Sequence, residues 1–352
     1  MPVDVSDAAT AVAHPNIALV KYWGKRDERL VLPYTDSLSM TLDVFPTTTS
    51  VRLTAAEADE VTLDGRPAQG EALRRVTDFL DLVRQRAGRA ERALVDSRNT
   101  VPTGAGLASS ASGFAALAVA SATAYGLRLD ARDLSRLARR GSGSAARSIY
   151  GGFAVWHAGV AGGQGGGPYD QGGGPYDSDP DPDLASYAEP VPVPVEELDP
   201  ALVIALLDTG PKSVSSREAM RRTVATSPLY RGWADSSRTD LAEMRRALLR
   251  GDLDAVGEIA ERNALGMHAT MLAARPAVRY LSPATLTVLD AVQQLRRDGV
   301  SAHATIDAGP NTKVLCRSSD ADRVADAVRA AASCQVLVAR CGPGALLHSE
   351  VR

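Results

Sequence analysis

Nowhere in this sequence do about eighteen apolar residues run uninterrupted, so no segment reads as a membrane-spanning helix. Runs of lysine and arginine are missing as well, and the formal net charge is only −3, which argues against a nucleic-acid partner. The opening MPVDVSDAATAVAHPNIALV lacks the basic segment that precedes the apolar stretch of a secretory leader. Cysteine is scarce. Cys316, Cys334 and Cys341 are odd in number and lack paired metal-ligand spacing, so they are expected to be reduced thiols in a cytoplasmic protein.

What remains is soluble, globular material. Its 352 residues are 45% hydrophobic, enough for a real core and for about two domains. One seam is visible. Residues 162–183, GGQGGGPYDQGGGPYDSDPDPD, contain QGGGPYD twice in tandem. Glycine costs too much backbone entropy here, and apolar side chains are too few, so the segment reads as a disordered surface insertion. It falls near the end of a first domain, residues 1–190, with a second spanning 191–352.

Periodicity places the elements. SVRLTAA and ADEVTLDG read as strands joined by a turn. GEALRRVTDFLDLVRQRAG has helical spacing and ends on glycine. RALVDSRN is a strand that runs into PTGAGLASSASG (residues 102–113), and a helix of small apolar residues follows. Beyond the insertion, PALVIALLDTG is a buried strand, then two helices break at Gly251. Helix, strand–turn–strand and helix close the chain. Strands and helices without strict alternation favour α+β architecture.

PTGAGLASSASG has no lysine, so it is not a P-loop of the usual lysine-bearing kind. A dinucleotide fingerprint fails too, because Ser109 stands where its third glycine belongs. A helix N-cap by Ser109 or Ser110 accounts for the serines but not for the two glycines behind a proline. An anion nest accounts for both: glycines admit a phosphate close to the backbone, and helix N–H groups hold it. Three further segments carry chemistry. KYWGK sets Lys21 and Lys25 around aromatic residues, as an anion-binding face would. GSGSAAR offers Ser142, Ser144 and the planar guanidinium of Arg147. IDAGPNTK places the single carboxylate of Asp307 before a sharp turn.

Together NIALVKYWGKRD, PTGAGLASSASG, RRGSGSAARSIYGGF and DAGPN resemble the GHMP superfamily, and within it the diphosphomevalonate decarboxylases. The likeness runs from about His14 to the last strand–helix unit and spares the insertion. It implies a two-domain GHMP-kinase fold: an N-terminal α+β domain whose βαβ unit carries the phosphate loop, and a ferredoxin-like C-terminal domain. It implies ATP and Mg²⁺ as cofactors, a homodimer, and ATP-dependent decarboxylation of 5-diphosphomevalonate to isopentenyl diphosphate. Asp307, Lys21 and Arg147 would be catalytic. Substrate would meet Tyr22, Trp23, Gly24, Lys25, Ser142, Gly143 and Ser144, and Ser216 and Arg217 on a serine loop that SVSSREAM matches, with Arg75 preferred over Arg74. The nucleotide would lie on Asn99, Gly104, Ala105, Gly106, Leu107, Ala108, Ser109 and Ser110, with Ser110 reaching the metal. The rival readings are a GHMP kinase that stops at phosphorylation, a decarboxylase preferring the monophosphate, and a catalytically silent GHMP-fold sensor.

Overall fold

A computed structural model describes residues 7–100, 109–159, 181–210 and 212–348. The first sheet is built on β1 (Ala8–Ala13), β6 (Thr47–Thr54), β7 (Glu60–Leu63), β8 (Arg66–Pro67) and β9 (Arg92–Asn99). Its last strand, β16 (Leu346–Leu347), returns from the far end of the chain, giving the order β16-β1-β6-β9-β7-β8. β7 and β9 are its parallel pair, and α1 (Gly70–Ala87) lies between them in the chain. This is the expected βαβ unit. Val76, Phe79, Leu80 and Val83 of α1 recur at helical spacing and are buried. Gly88 stops the helix in the left-handed region (φ 62°), returning its N–H to the Arg84 carbonyl.

After β9 comes α2 (Ser109–Ala124), apolar all round and buried against β1 and β6. The residues expected to cradle phosphate, 104–108, lie outside the described residues, as does the side chain of Ser109. α3 (Ala131–Gly141), capped by Asp130, leads through the Ser142–Ser144 turn into the short α4 (Ala145–Ser148).

The second sheet has the order β11-β10-β5-β2, from β2 (Asn16–Val20), β5 (Ser37–Thr41), β10 (Phe153–Trp156) and β11 (Ala188–Val191). A small ribbon of β3 (Lys25–Asp27) and β4 (Leu32–Pro33) stands beside it. The third sheet, β13-β14-β12-β15, is antiparallel throughout: β12 (Pro200–Leu206), β13 (Ala302–Ile306), β14 (Thr312–Arg317) and β15 (Gln335–Arg340). Every residue of β12 is buried, which is why it reads as an unbroken apolar run.

α8 (Tyr230–Leu249) and α9 (Leu253–Leu272) meet at Gly251 (φ 66°). α9 packs on β2 at one side and β13 at the other. One core cluster therefore runs across both halves, from Ile17, Leu38 and Phe153 to Leu202, Ile204, Met244 and Val256. α10 (Pro283–Arg297) and α11 (Ala321–Ala332) pack together over the third sheet and close a separate core.

Two expectations need correction. The repeats of the insertion lie outside the described residues, but its end does not belong to a solvated loop. Asp181 caps the single-turn helix α5 (Pro182–Ala185), and a second short helix, α6 (Val195–Leu198), follows β11. Asp183 joins Arg139, which is fully buried, and also lies 3.1 Å from the Arg140 guanidinium. Local composition showed charge and proline but not the arginines waiting on α3. The second correction concerns SVSSREAM, read as a serine loop. Ser215 accepts the Glu218 N–H as an N-cap, so Ser216 is already the first residue of α7 (Ser216–Thr226).

Candidate active site

A cavity of about 1220 Å³ opens between the halves of the chain. Its floor is an ion triad. β2 ends at Val20 and the chain turns inward, burying Lys21, whose Nζ lies 2.7 Å from Asp307 Oδ1 and donates to the Ala18 carbonyl at 2.7 Å. The other carboxylate oxygen, Asp307 Oδ2, lies 3.0 Å from Lys313 Nζ. Burial would push the Asp307 carboxyl up, yet the two ammonium groups hold it far below the ordinary carboxylate range. Burial lowers the Lys21 ammonium, and Asp307 works against that.

Opposite stands Arg147, 2% exposed. Its Nε donates to Ser39 Oγ at 2.9 Å, Nη1 to Ser37 Oγ, and Nη2 to Asn16 Oδ1 at 3.3 Å. Three of its five N–H groups are thus engaged by neutral oxygens. Among the described residues it makes no ion pair with a carboxylate, and burial lowers it to about 10. A buried guanidinium on a cavity wall without an acid of its own suits an anion.

Around these two centres the structure gathers most of the residues picked from sequence. Tyr22, Trp23, Lys25, Arg75, Asn99, Ser110, Ser142, Gly143, Ser144, Ser216 and Arg217 all line the cavity. Gly143 allows the serine turn to lie against aromatic rings: a Cβ there would meet Trp156 Cη2 at 2.8 Å and Tyr22 Cε1 at 3.0 Å. Gly24 (φ 99°) takes a bend against the Tyr230 hydroxyl, which a Cβ at this position would strike. Ser110 Oγ sits 3.2 Å from Ser142 Oγ, joining the start of α2 to that turn. Arg75 donates to the Gly141 carbonyl at 3.2 Å, whereas Arg74 is exposed and off the cavity. Arg217 reaches across to Glu71 at 3.1 Å, spanning α7 and α1.

The pair Lys21 and Lys25 does not form one cationic face. Lys21 is committed to Asp307, and Lys25 Nζ pairs with Glu28 Oε2 at 2.6 Å. The bend at Gly24 separates two side chains that their spacing had suggested would act together.

Sequence reasoning passed over five residues. Asn16 holds the serine turn, donating to the Ser144 carbonyl at 3.0 Å and Ser148 Oγ at 2.7 Å. Asn263 on α9 accepts the Lys21 N–H at 2.8 Å and donates to Asp240 Oδ2 at 2.8 Å. Lys212 lines the cavity, its ammonium lowered by burial. His268 is buried beside Lys21 and Asp307, and desolvation lowers it to about 4. Lys313, four positions after Gly309, pairs with Asp307 in space, but a lone lysine in a strand gives no periodic signal. None of the five sits in a spacing that announces chemistry.

A smaller hollow of about 230 Å³, lined by Thr47, Leu63, Val76, Phe114 and Leu117, adjoins at Asn99 and Ser110. Among the described residues no cluster of His, Cys, Asp or Glu could hold a metal ion, and no helix is long and apolar enough to cross a membrane.

Two family models match this chain: the diphosphomevalonate decarboxylase-like N-terminal domain over residues 13–165, and the mevalonate 5-diphosphate decarboxylase C-terminal domain over 202–340. The diphosphomevalonate decarboxylase of Candida albicans is 33% identical over 333 residues, covering 90% of this chain and 86% of its own. The phosphomevalonate decarboxylase of Haloferax volcanii is 32% identical, covering 91% of each. A solved structure described as MDDEF in complex with MVAPP, AMPPCP and magnesium superposes with a TM-score of 0.87 at 43% identity, over 97% of this chain and 99% of that one.

Proposed function

This chain belongs to the diphosphomevalonate decarboxylase family, and on that footing we propose that it catalyses ATP-dependent decarboxylation of 5-diphosphomevalonate to isopentenyl diphosphate, ADP, phosphate and CO₂. One observation carries the reading. The Lys21–Asp307 pair and the acid-free guanidinium of Arg147 face one cavity, as a substrate with both a hydroxyl to be phosphorylated and a carboxylate to be lost requires.

A tertiary hydroxyl is a poor leaving group, so the γ-phosphoryl group of ATP is transferred to it first. Asp307 orients the C3 hydroxyl, whose proton passes to the oxygens of the transferring phosphoryl group as the new O–P bond forms, and the Lys21 ammonium offsets negative charge developing there. The C3–O bond then breaks with its electrons leaving on phosphate. The C1–C2 bond breaks next, its electron pair closing the C2–C3 double bond as CO₂ departs. Arg147, held by Ser37, Ser39 and Asn16, keeps the carboxylate aligned through its two remaining N–H groups.

Tyr22, Lys25, Arg75, Ser142, Ser144, Ser216 and Arg217 form the proposed diphosphate wall. Asn99 and Ser110, shared by the cavity and the apolar hollow, suit a nucleotide that crosses from one to the other. Without a carboxylate cluster among the described residues, Mg²⁺ would ride on the nucleotide phosphates, with the exposed Ser110 hydroxyl as a ligand. When bound it neutralises phosphate charge. A homodimer and a cytoplasmic location complete the reading; the first rests on the family resemblance, the second on three unpaired cysteines.

The test is an end-point assay with ATP, following CO₂, phosphate and alkene, on 5-diphosphomevalonate and on the 5-monophosphate in parallel. Turnover of the diphosphate supports the reading. Preference for the monophosphate would favour the activity that the Haloferax volcanii relative is named for. Phosphorylation without CO₂ would leave a kinase.

A further inference from the structure

We infer that Lys313 is a positioning residue of the reaction, acting through Asp307: it fixes the carboxylate between two ammonium groups and keeps it ionised, so that Asp307 serves as an orienting anion.

The inference rests on the proposed reaction and on four observations. Lys313 is 1% exposed and is absent from the cavity lining, so its ammonium does not touch substrate. Its Nζ is tied at 3.0 Å to Asp307 Oδ2 and at 3.2 Å to the Asn311 carbonyl. The hairpin sets that geometry: Lys313 faces Thr305 across β13 and β14, and Asp307 follows directly where β13 ends. Lys21 takes the other oxygen. Each oxygen of one carboxylate therefore has its own cation, which fixes both its rotation and its charge.

A lone lysine would hold Asp307 well enough for structure. A second, buried at a cost in desolvation, needs a reason. The groups facing Asp307 from every neighbouring element are Lys21 after β2, Lys313 on β14, Lys212 after β12, Arg147 on α4 and His268 on α9. Four are cations, and His268 is held neutral by burial at ordinary pH. In that field a carboxylate has little tendency to take a proton, whereas a transferring phosphoryl group is welcomed by the net positive charge. Lys313 supplies part of that field and removes Asp307's freedom to swing away from the hydroxyl.

The experiment compares parent, Lys313→Met, Lys313→Gln, Asp307→Asn and the Asp307→Asn/Lys313→Met double variant, with melting temperature as a control. Lys313→Met should lower kcat about tenfold or more with KM for both substrates within about twofold. The acid limb of its kcat profile should move to higher pH, because losing one ammonium raises the Asp307 pKa. The double variant should be no slower than Asp307→Asn alone, since Lys313 acts through a group already removed. Lys313→Gln, which keeps a donor but no charge, should share the pH shift and recover part of kcat. Additive losses, a raised KM or an unmoved profile would overturn the inference. The parent supplies a measurement that needs no folded variant. Its kcat profile should show no carboxylate limb between about pH 4 and 6, and a limb there would overturn the inference too. If the parent itself turns nothing over, the proposed reaction has failed, a result distinct from any of these.

Discussion

Lys21 and Asp307 are 286 residues apart in the chain and 2.7 Å apart in the fold. Lys21 follows a strand of the second sheet and Asp307 follows a strand of the third, so the two halves of the chain must pack correctly for the pair to exist. The proposed catalytic pair therefore exists only when the long-range fold is complete.

Asp307→Asn tests it most directly. Asparagine keeps the shape and suits the turn, but it cannot balance Lys21 and Lys313. Turnover should fall on the order of 10²–10³-fold, as when one preorganised polar group at the reacting oxygen is removed. Stability should fall too, by about 3 kcal/mol, because two buried ammonium groups lose their counter-charge. Kinetics and chemical denaturation measured together check both halves. Parental turnover would remove Asp307 from the mechanism.

For Arg147→Lys the charge survives but the geometry does not. One ammonium cannot reach Ser37, Ser39 and Asn16 and still present two parallel donors to an anion. A loss of at least about 10²-fold in kcat/KM is expected, with about 1–3 kcal/mol of stability from the unmade buried hydrogen bonds. A variant with parental kcat/KM would reduce Arg147 to a nearby cation.

Gly143→Ala probes the serine turn. The new methyl meets Trp156 and Tyr22 at 3.0 Å or less, so the turn must shift by tenths of an ångström. The expected effect is a several-fold rise in KM for the phosphorylated substrate, larger than the change in KM for ATP. Equal effects on the two would place the turn elsewhere in the reaction.

His268 governs a pH window. Its native pKa, about 4, lies below the 6.5 of an exposed histidine. Between those values the unfolded chain binds a proton that the native chain refuses, so stability is lost as pH falls from 6.5 toward 4. His268→Gln should flatten this part of the unfolding free energy against pH, relative to the parent. Curves that remain parallel across the window would show that His268 titrates normally.

Asp183→Asn addresses the end of the insertion. Arg139 is fully buried, donates to the Leu30 and Ser186 carbonyls, and has Asp183 as its acid partner. The substitution should cost about 3 kcal/mol, lowering the melting temperature. A surface aspartate in a solvated loop would cost almost nothing, and that result would restore the reading from composition.

Residue order alone was enough for α1, β9, α2, β12 and the α8–Gly251–α9 pair, because each carries its own signal: helical spacing with a glycine stop, an unbroken apolar run, a glycine hinge. It was enough, too, to mark KYWGK, GSGSAAR and DAGPN, since a planar guanidinium, paired hydroxyls and a carboxylate before a sharp turn are recognisable as local chemistry. β2, β5 and β10 were not legible. They are buried on both faces, so the alternation that betrays a strand is absent. The partners of the reactive groups were equally hidden. That Lys21 turns to Asp307 and not beside Lys25, that Lys313 takes the second oxygen, and that Asp183 belongs to Arg139 depend on contacts between segments far apart in the chain. Electrostatics acts through space, and spacing along a chain says nothing about which buried charges will be brought within 3 Å.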